Sequence, residues 1–457
     1  MSFTGLSFLL LVFPSVLILY LLIPNRTAQN VILLIGSLAF YSWGEPKAVL
    51  LLLIVILVNY LLGLWIEHSR SRIVLALGIL LDLSVLFLFK YLGFVTVDIL
   101  HMDNPLPSLV QPLGISFYLF SAISYLADVA QKKTPAEYNL FLFALYMSLF
   151  PKLLVGPLIS YPVLIDQIRN RKRRPGRMSA GIRRFIAGLG KKVLIANQIA
   201  IASNKLFSLP ADQLTSPLAW LGAVSFMLQI YYDFSGYSDM AIGLGEILGF
   251  DFPENFNYPY LACSIQDFWR RWHMTLSSWF RDYVYIPLGG NRVGKLHWIF
   301  NVLAVWALTG LWHGAAWNFI LWGLYYGVLL ILERLILPKS EKFNFLRWLV
   351  TMLVVLYGWV LFNASDLSQI IYYTKAMFSF SGTISRSLLM QLGILYLAPY
   401  YIPAVLGIGP WFKKLCFRME NSGWTLWIPN LLSLLLFAAC LVFLISNSYL
   451  PFIYFKF

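Results

Sequence analysis

Hydrophobic runs about 20 residues long recur along this chain, and no other feature limits its fold as strongly. A run of that length is what an α-helix needs to cross the ~30 Å hydrocarbon core of a bilayer. Such runs lie near residues 5–23, 29–43, 47–66, 73–92, 182–208, 216–232, 298–335 (enough for two passes), 346–362, 384–408 and 424–448. Shorter or interrupted ones lie near 112–130, 140–160, 236–250 and 262–282. A soluble globule of 457 residues would cover itself with charge, yet only 12% of this chain is charged and 60% is hydrophobic. A disordered chain would lack the apolar residues. The sequence therefore predicts an all-α polytopic membrane protein. No soluble stretch separates the runs, so a single domain over 1–457 is expected.

The first 23 residues carry no cationic stretch ahead of the apolar run and no small-residue cleavage site, which reads as a retained first span. Cys263, Cys416 and Cys440 lie far apart and form no CxxC pair, so neither a disulfide framework nor a thiolate metal site is expected. The net charge of +14 reads as membrane topology rather than as a footprint for nucleic acid. Ten cations lie between Arg169 and Lys192 with no acid among them, which places this stretch as a cytoplasmic loop. Arg26, Arg70–Arg72, Lys132–Lys133, Arg334–Lys342 and Lys413–Arg418 point the same way. The loops at 95–110 and 209–216 carry Asp98, Asp103 and Asp212 without Lys or Arg, and fit the outside.

Parity then constrains segment 140–160, which lies between two inside loops and cannot be a full crossing. Its centre reads Phe150-Pro151-Lys152, with Gly156-Pro157 following. Proline removes an amide donor and breaks the helix, so a re-entrant hairpin is expected. Segments 236–250 and 262–282 carry similar interruptions and are read the same way. Several broken elements in one membrane protein point to a polar cavity within the bilayer.

Five histidines are present. His68 and His101 fall in loops, and His297 opens a span at the interface, where an amphipathic ring is ordinary. His313 lies deep in the 298–335 stretch, between Gly310 and Gly314. An ionisable residue there is costly and marks function; the competing reading is a small-residue helix contact with the imidazole bonded across it. His273 follows Trp269-Arg270-Arg271-Trp272. On a continuous helix it falls at the edge between the apolar face Phe268, Trp272, Thr275, Trp279 and the polar face Arg270, Ser277, Arg281. An interfacial amphipathic helix explains that pattern as well as a site does. Imidazole suits general-base work near neutral pH, but a base alone fixes no reaction. The chain has no GxSxG elbow, P-loop or HExxH motif, and Asp233 and Asp239 in Tyr232-Asp233-Phe234-Ser235-Gly236-Tyr237-Ser238-Asp239 are no ground for a metal.

These residues carry a resemblance. Phe252-Pro253-Glu254-Asn255-Phe256-Asn257-Tyr258-Pro259-Tyr260, Trp269-Arg270-Arg271-Trp272-His273, Trp279-Phe280-Arg281-Asp282-Tyr283, Pro287-Leu288-Gly289-Gly290-Asn291-Arg292 and Leu308-Thr309-Gly310-Leu311-Trp312-His313-Gly314 resemble the membrane-bound O-acyltransferases (MBOATs). The likeness is nearest to the branch that acetylates alginate and peptidoglycan. Tyr41-Ser42-Trp43 and Pro451-Phe452-Ile453-Tyr454-Phe455 extend it over nearly the whole chain, with the core block at about 232–335. Where alginate-type members are expected to carry arginine after Trp359-Val360-Leu361-Phe362, this chain has Asn363.

The resemblance implies a multi-helix bundle with re-entrant segments around a transmembrane tunnel, in a bacterial cytoplasmic (inner) membrane. It implies an O-acetyltransferase with His313 as principal catalytic histidine and His273 as its partner. Trp269, Arg270, Arg271, Trp272, Arg281, Asp282, Trp312 and Asn318 become the candidate substrate-binding residues. It further implies acetyl-CoA as co-substrate with no bound cofactor or metal, a polysaccharide acceptor outside, and an exported SGNH-type esterase or transferase as partner. His273 or a backbone amide is expected to meet the oxyanion. Two other classes stay open: a polysaccharide or lipid transporter without acyl chemistry, and an envelope scaffold. A D-alanyl-transfer relative shares the Trp-His segment but differs after it, at Leu288-Gly289-Gly290-Asn291.

Overall fold

The computed structural model describes residues 2–102, 109–172, 175–336, 344–411, 414–415, 418, 427–446 and 452. The readings on Asp103, Arg173, Arg174, Lys342, Lys413, Cys416 and Pro451 lie outside the described residues. The described residues are helical, with no strand among them. In chain order the helices are α1 (Phe13–Leu22), α2 (Arg26–Gly44), α3 (Ala48–Ser69), α4 (Arg72–Leu86), α5 (Ile115–Ala130), α6 (Leu140–Ser148), α7 (Phe150–Leu153), α8 (Tyr161–Asn170), α9 (Pro175–Gly190) and α10 (Asn197–Phe207). They continue as α11 (Ser216–Leu248), α12 (Ile265–Arg271), α13 (Met274–Phe280), α14 (Lys295–His313), α15 (Trp317–Ile336), α16 (Phe345–Asn363), α17 (Leu367–Phe378), α18 (Arg386–Gln391), α19 (Ala398–Leu406) and α20 (Trp427–Ser446).

Six of these stretches are long and apolar enough to cross a bilayer: 48–69, 72–91, 176–207, 317–336, 345–363 and 427–446. Each coincides with a run read from the sequence. The run at 384–408 does not become one helix; it divides into α18, a 3-10 turn and α19, whose own interior holds Pro403. Exposed leucines and isoleucines on α3, α4 and α20, such as Leu57, Leu80 and Leu434, are what lipid-facing surfaces require.

The chain forms two compact units. The first comprises Met1–Phe185 and Ser238–Glu254. Inside it, the interruption foreseen at 140–160 is present. Helix α6 is only nine residues long, about 14 Å at helical rise. Leu149 turns out of helical geometry at φ −51°, ψ 111°, and the four-residue α7 follows, with Pro151 among its first residues. That is less than half a bilayer, as a re-entrant element demands. Lys152 is buried here, donating to Ser121 Oγ at 3.3 Å and lying 3.9 Å over the Tyr146 ring.

The basic tract is not one loop. Arg169 ends α8, while Arg177, Arg183 and Arg184 ride on α9. Arg184 meets Asp239, Glu246 and Glu254; Arg177 pairs with Asp251; Arg169 reaches Glu137 at 2.6 Å. Arg171 is buried, donating to Tyr20 Oη and Asn30 Oδ1. Arg169, Arg171, Arg177 and Arg184 thus have acid, phenol or amide partners within the fold.

The second unit comprises Ile186–Tyr237 and Asn255–Phe457. In it Lys192, also counted with the loop, is buried on a π-helical turn (Lys191–Ala196) and pairs with Asp233 at 2.7 Å. Segment 236–250 corrects the expectation of a break: it belongs to the unbroken 33-residue α11. Its glycines serve close packing. A Cβ on Gly236 would lie 2.7 Å from the carbonyl oxygen of Gly188, and one on Gly243 would lie 2.6 Å from that of Gly181.

Candidate active site

The 298–335 stretch folds into the antiparallel pair α14 and α15. Gly310 and Gly323 bring the two backbones together: a Cβ on Gly310 would strike the Phe319 carbonyl, and one on Gly323 the Trp306 carbonyl. The small-residue contact read as a competing explanation is thus real, and it coexists with the site. It also moves His313. The histidine is not in the middle of a helix but is the last residue of α14, where Gly314 takes an extended backbone and the chain turns into α15. His313 is buried, with Trp322, Phe362 and Trp312 rings edge-on at 4.9, 5.1 and 4.8 Å. Edge-to-face pairs contribute roughly 0.5–1.5 kcal/mol each beyond area burial, so this wall is stiff.

His273 occupies the interruption expected in 262–282, which falls inside the stretch that the helical-wheel reading treated as one helix. The continuous helix expected over 268–281 is two helices, α12 and α13, with His273 between them at φ 44°, ψ 54°. A non-glycine residue in that left-handed region is held there by its surroundings. The segment 255–257 does the holding. Met274 N donates to the Asn255 carbonyl at 3.0 Å, and Asn257 N donates to the Arg271 carbonyl at 3.0 Å. The helical-wheel placement fails for that reason: Arg270 and Ser277 are exposed while His273 is buried.

The ring of His273 lies with Nδ1 3.2 Å from Asn255 Oδ1, with Phe234 edge-on at 4.6 Å and Trp312 at 5.8 Å. Trp312 therefore borders both histidines. Around them, His273 Nε2, Asn255 Nδ2, Trp269 Nε1 and Trp322 Nε1 are buried without a hydrogen-bond partner among the described residues. Buried polar atoms are nearly always satisfied, so these four are candidates for contact with a substrate or water.

The other candidates divide. Trp269 is buried against Trp306 (4.7 Å) and Trp322 (5.5 Å), and Trp272 packs on Trp359 (4.7 Å). Both are joined to the histidine surroundings through these rings. Asn318 is spent on structure, donating to the Phe362 and Ala364 carbonyls and tying α15 to the end of α16. Arg271 is taken by Asp267 at 2.8 Å, Arg281 and Asp282 bind each other at the surface, and Arg270 is exposed. Asn363 closes α16, next to Phe362. Sequence reasoning missed Asn255 as a working residue, together with Trp322, Phe362 and Phe234. Only Asn255 left a signal, as an amide in the polar turn before the Trp-His segment.

Comparison with known proteins agrees with this architecture. The profile of the MBOAT, membrane-bound O-acyltransferase family matches residues 38–380. The chain is 39% identical to a protein of Pseudomonas putida named probable alginate O-acetylase AlgI, over 100% of both chains. It is 32% identical to a peptidoglycan O-acetyltransferase of Helicobacter pylori, over 99% of this chain and 96% of that one. A teichoic acid D-alanyltransferase of Bacillus subtilis is 28% identical over 64% of this chain and 76% of its own. The six apolar helices, the buried histidine pair and these matches together make this chain a membrane-bound O-acyltransferase.

Proposed function

We propose that this enzyme is an O-acetyltransferase of a bacterial cytoplasmic membrane, taking acetyl from acetyl-CoA on the inside and passing it toward an exported polysaccharide. An exported SGNH-type protein completes delivery to the sugar. Full-length similarity to proteins named for acetylation supports acetyl over D-alanyl, whose named relative aligns with a smaller share of the chain. The observation that carries the chemistry is the pair of buried imidazoles sharing Trp312, set among unspent polar atoms.

In this reading His313 takes the proton of the acceptor hydroxyl as its oxygen attacks the acetyl carbonyl carbon. The tetrahedral intermediate collapses, the C–S bond breaks, and the departing CoA thiolate receives that proton. An aromatic wall excludes water that would hydrolyse the thioester and holds donor and acceptor in line. The indole N–H groups of Trp269 and Trp322 are donors of the kind that stabilise a developing oxyanion.

The test is purified protein in liposomes, given acetyl-CoA and a glycan acceptor, with free thiol and acetylated glycan both measured. Acceptor-dependent thiol release that His313→Ala removes is the expected result. Acetylation at the wild-type rate in His313→Ala takes that histidine out of the mechanism, and absence of thiol release from wild type with any acceptor favours a transporter.

A further inference from the structure

Asn255 belongs to no motif of acid–base chemistry, yet it binds the two residues that follow His273 through three hydrogen bonds. Its main-chain carbonyl accepts from Met274 N at 3.0 Å, and its Oδ1 accepts from Thr275 N at 3.3 Å and Thr275 Oγ1 at 2.7 Å. It thus caps α13 in place of His273, the residue at the N-cap position, which makes no side-chain cap bond of its own.

The amide's orientation follows from one of those bonds. The Thr275 main-chain N–H can only donate, so the Asn255 atom facing it is the carbonyl oxygen and not the NH2 group. The same oxygen faces His273 Nδ1 at 3.2 Å. An oxygen acceptor there demands that Nδ1 carry the hydrogen. Nε2 of the neutral ring is then a lone pair. It is buried and has no hydrogen-bond partner among the described residues. The left-handed backbone of His273 fixes the ring's origin, and Phe234, edge-on at 4.6 Å, limits its rotation.

We propose that Asn255 is a positioning residue that locks His273 in the Nδ1–H tautomer, and that His273 therefore acts as an acceptor through Nε2, taking a hydrogen bond that orients the acceptor molecule while His313 takes the reacting proton, rather than stabilising the oxyanion. This rests on the acyl-transfer reading and takes His273 out of the oxyanion role that the resemblance left between it and a backbone amide. A neutral Nε2 lone pair cannot donate to an oxyanion, so that task falls to other donors, among which Asn255 Nδ2 is also buried and unspent. The reacting hydroxyl's proton passes to His313 as the O–C bond forms and ends on the thiolate released by C–S cleavage.

Two measurements on the full chain in liposomes test this. Nitrogen-15 NMR of histidine-labelled protein, differenced against His273→Gln, reports the tautomer of His273. Protonated Nδ1 with bare Nε2 is expected, and protonated Nε2 overturns the proposal. Kinetics then compare Asn255→Ala with Asn255→Asp. Asn255→Ala should lower kcat roughly 10- to 100-fold, as loss of a histidine's orienting partner does, with KM for acetyl-CoA little changed. Asn255→Asp preserves an oxygen acceptor, so it should recover much of kcat and move the acidic limb of kcat/KM to higher pH, because a carboxylate favours imidazolium. Wild-type kcat in Asn255→Ala overturns the proposal. If wild type releases no thiol at all, the acyl-transfer reading falls, and the NMR tautomer decides the placement of His273 alone.

Discussion

Residues 236–250 and 262–282 look alike in sequence: both are apolar stretches interrupted by small and polar residues. In the structure they differ. The first is part of a continuous 33-residue helix, and the second splits into two seven-residue helices around His273. Glycine did not decide the matter. Gly236 and Gly243 sit in the unbroken helix, each facing the backbone of another glycine, and the break at Trp272–His273 has neither glycine nor proline. What breaks 262–282 is competition for main-chain groups. Asn255 takes the Met274 and Thr275 amides and Asn257 takes the Arg271 carbonyl, so those groups leave the helical ladder. A helix in a membrane chain is thus interrupted where another segment supplies its hydrogen bonds, and small residues alone only bring helices closer.

The contrast implies that the broken region serves chemistry and the unbroken one serves packing, which substitutions can test. The largest effect is expected at the histidines. His313→Ala should lower thiol release about 10³-fold, and His273→Ala less, with protein level and melting temperature near wild type. A fall in melting temperature as large as the fall in activity would make both residues structural.

Next is the buried ion pair that joins α11 to the π-helical turn Lys191–Ala196. Lys192→Met removes the ammonium from a carboxylate only 3% exposed, and should destabilise by about 3–5 kcal/mol in a detergent melt. The double variant Lys192→Met with Asp233→Leu should recover most of that. If it does not, the pair has a role beyond packing, and the division drawn between the two regions is too simple.

A smaller loss is expected from Gly243→Val, which sets a side chain against the Gly181 backbone, where no flexible group is available to yield. Roughly 1–3 kcal/mol is expected, with activity per folded molecule unchanged. A drop in activity without a drop in stability would show that α11 carries chemistry after all. The smallest effect belongs to Arg281→Gln. Its guanidinium is already bound to Asp282 at the surface, so KM for acetyl-CoA should rise by no more than about fivefold, and less at high salt. A larger rise would place the donor's phosphates on this arginine.

Much was legible before any coordinates. The six long apolar helices match runs visible at a glance, and the break within 140–160 followed from Pro151. His313 stood out because an imidazole deep in an apolar stretch is rare, whereas His273 was singled out as a site only through the resemblance. Their surroundings were not legible. Phe362 lies far in sequence from His313 and Phe234 far from His273, and nothing local marks a ring as the one that meets another. The basic tract misled for the same reason: no acid lies within it, yet Arg184 meets three carboxylates from elsewhere in the chain.

Hydrophobic periodicity and run length are local quantities, and the bilayer reads them locally. Sequence alone therefore settled that the chain is helical, that it crosses a membrane, and which stretches are long enough to do so. Tertiary structure decided where helices stop, which cations have acid partners, and which atom of Asn255 faces His273. Each of those depends on a partner brought in from a distant position, and a hydrogen bond or ion pair between distant residues leaves no trace at either one until the chain is folded.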